Sequence, residues 1–241
     1  MPEDTFSLAS AHLQNERPIW VRLPRDLHAP CHLAVVLDGE LYRGGVEALA
    51  TIDRLDRTQR IGPTLFAFVS HHSEAARWRE CPCHPPFAAF LHAELLPALA
   101  ARYHAVHANR QRALIGLSYT GLAAAFAALQ PENEFTRVVA QSGSFWWHDG
   151  WLSDHVPPAP AARPPAFYLE VGRKETADRV EHRPDVIQRI SQIEGVQRFH
   201  AALRTAGYAS AYSEYPGGHD FDGWRQSLPR ALAWALPPFG H

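Results

Sequence analysis

The stretch that most constrains the fold of this chain is a glycine-rich turn between an apolar segment and an alanine-rich one. It reads Gly-Leu-Ser-Tyr-Thr-Gly over residues 116–121 and directly follows the apolar run 113–115. A G-x-S-x-G pattern between a strand and a helix is typical of a nucleophile elbow, a strained turn that presents a serine hydroxyl above a sheet. The segment follows this pattern except that Thr120 stands at the second glycine position, with Gly121 directly after it. The pattern indicates that Ser118 is a nucleophile. The alternative is a serine in an ordinary glycine turn.

Short apolar strands alternate with helical segments along the rest of the chain. Strands are predicted at 18–23, 32–37, 64–70, 112–117, 136–141, 166–171 and 209–215, and helices at 46–55, 87–102, 121–129, 185–206 and 222–236. Such alternation requires crossover connections and gives a mostly parallel central sheet with helices on both faces. We therefore predict a single α/β-hydrolase domain over residues 1–241, with 1–17 as an N-terminal extension and the proline-rich 150–165 as a surface excursion.

The charge balance and the cysteine content argue against several classes of protein. The chain has 23 Lys and Arg against 25 Asp and Glu, whereas nucleic-acid and membrane-surface binders usually carry a basic excess. No apolar run approaches the ~18 residues of a membrane span, and the acidic start does not fit a secretory signal. Three cysteines do not make a disulfide framework. We expect a cytoplasmic, reduced protein without nucleic-acid or membrane partners.

A serine hydroxyl needs a general base, and in this fold class the histidine comes late, after the last strand. Of the 15 histidines, His219 is the one that directly follows the predicted strand 209–215. The glycine pair 217–218 before it permits a tight loop that turns the imidazole toward Ser118. His219 is therefore the predicted base.

The acid that orients this histidine is expected after the penultimate strand. Glu175 lies four residues beyond the predicted strand 166–171 and is the first choice. Asp178, Glu181 and Asp185 are its rivals. The alternative for Glu175 is a solvated loop carboxylate paired with a neighbouring basic residue.

Two backbone N–H groups are predicted to bind the oxyanion. One belongs to Tyr119, at the positive end of the helix that follows Ser118. The other belongs to Glu40, in the sequence Leu37-Asp38-Gly39-Glu40 after an early strand, where glycine allows a close approach of the backbone. Asp-Gly is also a common turn, which is the alternative for this second segment.

With these segments in place, the chain resembles the enterochelin (enterobactin) esterase family over about 200 residues from Pro18 onward. The resemblance lies in five segments besides the nucleophile turn: Leu37-Asp38-Gly39; Arg77, Glu80, Cys83 and Phe87 leading to Glu94-Leu95-Leu96-Pro97; Gln141 to Trp147; Leu169 to Glu175; and Gly217 to Asp220 with Trp224 and Arg225. Thr120 stands where a glycine is common in the family, and His84 where asparagine is frequent. Because about 17 residues precede the first predicted strand, we expect a single-domain version without the separate N-terminal domain of larger members.

The resemblance implies hydrolysis of esters in a catecholate siderophore, with iron as part of the substrate and no protein cofactor. Arg77, Trp147 and Trp224 are then candidates for binding an anionic aromatic substrate. The alternatives are that the tryptophans pack in the core and that Arg77 pairs with Glu80.

The segment from His71 to His84 contains residue types that bind zinc, including Cys81 and Cys83. The Cys-x-Cys spacing is unusual for a zinc knuckle and no second ligand pair follows, so we expect a rim loop without metal.

Three functions remain open at this point. The first is an esterase that acts on catecholate siderophore esters, and the second is a feruloyl or general acyl esterase on the same scaffold. The third is a binding protein that retains the scaffold without catalysis.

Overall fold

The computed structural model describes residues 3–26, 29–104 and 111–239 and has a central sheet between two layers of helices. The strands are β1 (Glu3–Ser10), β2 (Asn15–Arg22), β3 (His32–Val36), β4 (Thr64–Val69), β5 (Arg112–Leu117), β6 (Arg137–Gln141), β7 (Ala166–Gly172), β8 (Val180–Arg183), β9 (Val186–Gln188) and β10 (Ser210–Tyr215). The α-helices are α1 (Gly39–Arg43), α2 (Ala48–Arg57), α3 (Glu74–Glu80), α4 (Pro85–Ala89), α5 (Leu96–Arg102), α6 (Ser118–Ala128), α7 (Trp151–Asp154), α8 (Gln192–Thr205) and α9 (Phe221–Ala235). A π-helical segment, Phe90–Leu95, joins α4 to α5, and a short 3-10 helix, Trp147–Gly150, precedes α7.

Eight strands form the central sheet in the order β1-β2-β4-β3-β5-β6-β7-β10. Pairing from β4 to β10 is parallel throughout, and β2 runs antiparallel to both β1 and β4. The inner strands β3 and β4 are buried at every residue, as expected for parallel strands covered on both faces. The predicted α/β-hydrolase class, with its mostly parallel sheet, is confirmed.

Two apolar clusters fill the spaces on either side of the sheet. One contains side chains of α6 and α8 with Phe90 and Phe145, and the other packs α2 and α9 against the opposite face. Helix α6 is buried almost completely, which explains its alanine-rich sequence, since small side chains let a helix lie close to the sheet.

Two sequence-based assignments differ from the structure. Residues 3–10, predicted to belong to an N-terminal extension, form the edge strand β1, whose alternating pattern turns Phe6 and Leu8 toward the core. The helix predicted from residue 185 begins only at Gln192, because residues 180–188 form the small antiparallel hairpin β8–β9.

Between α7 and β7, residues 155–165 contain no helix or strand and lie mostly at the surface. No helix among the described residues has the length and hydropathy to cross a bilayer.

Candidate active site

Three strands of the parallel part of the sheet end at the same edge and deliver the predicted catalytic side chains. Ser118 follows β5 directly, Glu175 lies three residues after β7, and His219 lies four residues after β10. The carboxyl ends of parallel strands share one edge of a sheet, which is where open α/β sheets place their ligand sites. The topology therefore brings together side chains that are far apart in the sequence.

The backbone at Ser118 is strained in the way an elbow requires. Its φ of 50° lies in the left-handed region, which is costly for a residue with a Cβ. Gly116 makes the tight turn possible, because a Cβ at that position would lie 2.2 Å from the carbonyl oxygen of Thr120. The serine thereby becomes the first residue of α6, where the helix dipole favours developing negative charge.

Ser118, His219 and Glu175 form a continuous hydrogen-bonded chain. The Nε2 atom of His219 lies 3.0 Å from the Oγ of Ser118, and its Nδ1 lies 2.6 Å from Oε2 of Glu175. The imidazole is 40% exposed whereas the carboxylate is 2% exposed, so the histidine faces the solvent-accessible side of a buried acid. The edge of the imidazole also packs against the Trp224 ring, at 4.9 Å between centroids.

The second oxygen of Glu175 is held by three donors. Oε1 accepts hydrogen bonds from Ser142 Oγ at 2.6 Å, from the Gly172 N–H at 2.6 Å and from the Tyr215 hydroxyl at 3.1 Å. Burial, and next the nearby Glu175 charge, raise the pKa of Tyr215, so the phenol stays protonated as a donor. The rival carboxylates, of Asp178, Glu181 and Asp185, are exposed.

Glycine is required where Glu175 is anchored. A Cβ on Gly172 would lie 2.6 Å from the Gly217 carbonyl oxygen and 2.8 Å from Oε1 of Glu175. Ser142 and Tyr215 were not identified from sequence as site residues. The Gln-Ser-Gly-Ser segment after β6 was the available signal for Ser142, because its position after a parallel strand places it at the same edge of the sheet.

The predicted oxyanion donors lie in the first turns of two helices. Tyr119 is the second residue of α6, and Glu40 is the second residue of α1. First-turn N–H groups have no acceptor within their own helix and are free to bind a ligand oxygen. The side chain of Glu40 accepts hydrogen bonds from Ser70 Oγ and, at 3.2 Å, from the His71 N–H.

Asp38, which is 1% exposed, organises the loop that carries Glu40. Its carboxylate accepts hydrogen bonds from Arg77 at 2.7–2.9 Å and from the Thr120 hydroxyl at 3.0 Å, and His71 Nδ1 lies 3.3 Å away. Burial alone would raise the pKa of Asp38, but the contacts with His71 and Arg77 outweigh it and lower that pKa.

The alternative from the sequence, that Arg77 pairs with Glu80, is wrong. Arg77 pairs with Asp38, and Glu80 instead forms a buried ion pair with Arg17 at 2.7 Å. Helix α3 separates the two arginine–carboxylate pairs because Arg77 and Glu80 leave the same short helix toward different neighbours.

A cavity of about 340 Å³ opens beside Ser118 and is lined by aromatic side chains. Trp78 and Trp146 both contact the Tyr119 ring edge-on, at centroid distances of 4.6 Å and 5.9 Å. His182, on the β8–β9 hairpin, stacks almost parallel on Trp146 at 4.8 Å. Lys174, the only lysine of the chain, also lines this aromatic cavity.

A second and wider cavity, of about 630 Å³, also borders the predicted catalytic groups. Leu41, His71, Glu74, Phe221 and Trp224 contribute to its wall. Ser118, His219 and Arg77 line both cavities. A substrate whose two halves occupy the two cavities would present its central bond to Ser118.

The three predicted substrate-binding residues fare differently. Arg77 lines both cavities, although its guanidinium is engaged by Asp38. Trp224 is 5% exposed and donates its indole N–H to Ser142 Oγ at 3.2 Å. It therefore helps to hold a donor of Glu175, and it also lines the wider cavity. Trp147 lines a separate cavity with His148 and Arg189, and its neighbour Trp146 takes the place beside Ser118. Sequence reasoning also missed Trp78 and His182.

The cysteine segment shows no sign of reactive thiols. Cys81 is buried, and burial raises the pKa of Cys83 to about 12. Among residues 3–26, 29–104 and 111–239, no group of three or more His, Cys, Asp or Glu side chains is arranged to hold a metal ion.

Several known proteins with a similar sequence or structure are described as esterases. The chain is 31% identical to an iron(III) enterobactin esterase of Dickeya dadantii over 232 residues, which cover 94% of the chain and 53% of that protein. A crystal structure of the enterobactin esterase of Shigella flexneri, determined in the presence of enterobactin, superposes with a TM-score of 0.81 at 25% identity and covers 98% of this chain and 58% of that one.

A ferulic acid esterase structure has a TM-score of 0.75 at 18% identity, covers 99% of both chains and shows a shared fold. The chain spans about half the length of the curated relatives it matches. The family model described as "Putative esterase" matches residues 10–235. The chain therefore belongs to this esterase family.

Proposed function

We propose that the chain is a serine esterase that hydrolyses carboxylic esters through an acyl-enzyme. The observation that carries the proposal is the hydrogen-bonded chain from Ser118 through His219 to the buried Glu175. A nucleophile within reach of a base, with that base oriented by a third group, is the arrangement that acyl transfer requires. Membership of the esterase family supports the same conclusion.

In the acylation step, Ser118 Oγ attacks the ester carbonyl carbon and its proton passes to His219 Nε2. The carbonyl oxygen becomes an oxyanion, which the N–H groups of Tyr119 and Glu40 stabilise. The carbon–oxygen bond to the alcohol then breaks, and His219 returns the proton to the leaving oxygen. Glu175 remains ionised throughout, accepts the Nδ1–H and stabilises the imidazolium.

In the deacylation step, a water molecule replaces the alcohol. His219 takes a proton from this water as its oxygen attacks the acyl carbon, and the second oxyanion forms in the same place. Collapse of this intermediate releases the carboxylic acid, and Ser118 regains its proton from His219. The step consumes one water molecule and needs no cofactor.

We further propose that the substrates are catecholate siderophore-type esters of the enterobactin class, either free or as the iron complex. The aromatic cavity supports this choice, because Trp78, Tyr119 and Trp146 offer ring faces and edges to a catechol. Lys174 adds a cation for the anionic oxygens. The names of the relatives in Dickeya and Shigella agree with it.

A feruloyl or general acyl ester is the second candidate. The volume of the aromatic cavity, about 340 Å³, is the observation in its favour, since one phenolic ring fills such a space without a large multi-ring scaffold.

The test is a substrate panel with the purified chain, in which a catecholate trilactone, a feruloyl ester and a short acyl ester are compared by kcat/KM. We expect the trilactone to be preferred, and the variant Ser118→Ala to lose activity and fluorophosphonate labelling. Ser7→Ala, on an exposed position of β1, is the matched control and should retain both. A preference for small neutral esters would favour the second candidate, and an unlabelled, inactive wild type would support a binding protein without catalysis.

A further inference from the structure

The position of the loop that carries Glu40 depends on tertiary contacts. Helix α1, which contains Glu40, has only five residues, too few to be stable through its own hydrogen bonds. Asp38, directly before it, has a left-handed backbone with φ 54° and ψ 48°. The position of the Glu40 N–H therefore depends on what fixes the side chain and the backbone of Asp38.

The group that reaches Asp38 from the nucleophile turn is the hydroxyl of Thr120. Thr120 Oγ1 accepts a hydrogen bond from the Leu117 N–H at 3.0 Å and lies 3.0 Å from Oδ2 of Asp38. The hydroxyl also lies 2.8 Å from the Leu117 carbonyl oxygen, but a carboxylate is the stronger acceptor for its single proton. Both Thr120 and Asp38 are 1% exposed, so water does not compete for this contact.

This contact joins the two halves of the oxyanion site. Thr120 directly follows Tyr119, and Asp38 lies two residues before Glu40. We propose that Thr120 and Asp38 are positioning residues that hold the N–H groups of Tyr119 and Glu40 at the separation the oxyanion needs. The inference rests on the proposed esterase function and adds a positioning role for the Thr120 hydroxyl.

The other contacts of Asp38 show why the threonine has a distinct role. Arg77 and His71 approach Asp38 from α3 and from the loop after β4, and neither belongs to the nucleophile turn. Loss of the Thr120 hydroxyl leaves Asp38 paired with Arg77, so the fold survives while the link to the turn is broken. A shift of about 1 Å at a reacting group can cost roughly 100-fold in rate, so a small relaxation of this link has a measurable effect.

The test compares Thr120→Val and Thr120→Ser on the best ester of the panel. For Thr120→Val we expect kcat to fall about tenfold or more, below the roughly 100- to 1,000-fold cost of losing a donor outright, with KM changed less than about twofold. The inhibition constant of phenylboronic acid should rise in parallel, because its adduct with Ser118 mimics the tetrahedral intermediate. Thr120→Ser should restore both values. Thr51→Val, a buried hydroxyl in α2 away from the site, is the control.

Three outcomes would overturn the inference. The first is a kcat within about twofold of wild type for Thr120→Val, and the second is a loss in KM alone. The third is a melting temperature that is lower than that of wild type in Thr120→Val and equally low in Thr120→Ser. Should Thr120→Val not fold, Thr120→Ala is measured in the same way. A wild type that is neither labelled by fluorophosphonate nor inhibited by the boronic acid would refute the esterase proposal itself, whereas an active wild type with an equally active valine variant refutes only this inference.

Discussion

The environment of Glu175 separates it from every other carboxylate between β7 and β9. Its side chain is almost fully buried, one oxygen meets His219 and the other accepts three hydrogen bonds. A buried carboxylate with this number of donors is fixed in one rotamer. Sequence position made Glu175 the first choice among its rivals, but the donors from Ser142 and Tyr215 come from other strands and had no signature in the local sequence.

Replacing Glu175 with glutamine tests the role of the acid. The amide keeps the shape but presents an N–H₂ group where a carboxylate oxygen should accept the Nδ1–H, so the imidazole is held in the wrong tautomer. We expect kcat to fall about 10⁴-fold with the fold retained, measured by steady-state kinetics and circular dichroism. Glu181→Gln, at an exposed rival position, is the control. A loss below about tenfold for Glu175→Gln would mean that Ser118 and His219 suffice or that another carboxylate takes the role.

Among the secondary-structure elements, the β8–β9 hairpin decides the shape of the aromatic cavity. It replaces the first turns of the predicted helix at 185–206 and brings His182 onto the face of Trp146. His182 is also anchored to the second strand of the hairpin, since its Nε2 lies 3.0 Å from Oε1 of Gln188. A short, mostly exposed hairpin has little apolar periodicity, which is why the sequence did not reveal it.

The variant His182→Ala removes the stacked wall of the cavity. We expect the ratio of kcat/KM for an aryl ester to that for an acetyl ester to fall about two- to tenfold, the equivalent of about 0.5–1.5 kcal/mol for an aromatic pair. Ile187→Ala, on the facing strand of the hairpin and 45% exposed, is the matched control. An unchanged ratio in His182→Ala would show that the hairpin does not contribute to substrate selection.

The loop between β4 and α3 gives the protein a pH-dependent contact. His71 Nδ1 lies 3.3 Å from Asp38 and 3.2 Å from Glu40, and the contact with Asp38 raises the pKa of His71 above its ordinary value of 6.5. The folded state therefore binds the proton more tightly than the unfolded state does. The resulting stabilisation is complete below about pH 6.5 and is lost as the pH rises through the higher pKa of the folded state.

The variant His71→Gln removes this dependence. We expect the loss of unfolding free energy relative to wild type to be larger at about pH 5.5 than at about pH 9, measured by urea unfolding at both values. His12→Gln, at an exposed histidine of the β1–β2 turn, should show no such difference. Equal losses for His71→Gln at the two pH values would contradict the assignment.

At the scale of the whole molecule, one buried ion pair ties the sheet to the helix that borders the site. Arg17 in β2 and Glu80 in α3 are 1% and 2% exposed and lie 2.7 Å apart. The guanidinium also lies 5.1 Å from the centre of the Phe90 ring. Because α3 carries both Arg77 and Trp78, this pair links strand β2 to the walls of both cavities.

Removing one member of the pair leaves the other buried without its partner. We expect Glu80→Leu to lower the free energy of unfolding by about 3–5 kcal/mol, measured by urea denaturation. The double variant Arg17→Met/Glu80→Leu should be destabilised less than the single one, because no charge is then left uncompensated. If the double variant lost as much unfolding free energy as Glu80→Leu and Arg17→Met lose together when measured singly, the two side chains would not be coupled.

The sequence by itself determined the order of most of the elements and predicted where the candidate catalytic residues lie along them. Apolar runs predicted the inner strands, and the residues that follow β5, β7 and β10 were predicted as site residues from the elbow pattern and from the order of nucleophile, acid and base along chains of this fold class. The edge strand β1 was missed because Phe6 and Leu8 are its only large apolar residues, too few for a clear strand pattern, and its place in the sheet comes from pairing with β2.

Tertiary structure alone decided which side chains meet. In the folded chain, Trp146 and not Trp147 lines the aromatic cavity, and Arg77 pairs with Asp38 rather than with Glu80. The partners Arg77 and Asp38 are 39 residues apart, and the local sequence around either residue does not predict that they pair. Local patterns specify backbone conformation, because that depends on neighbouring residues, whereas the contacts of a buried side chain depend on how whole elements pack.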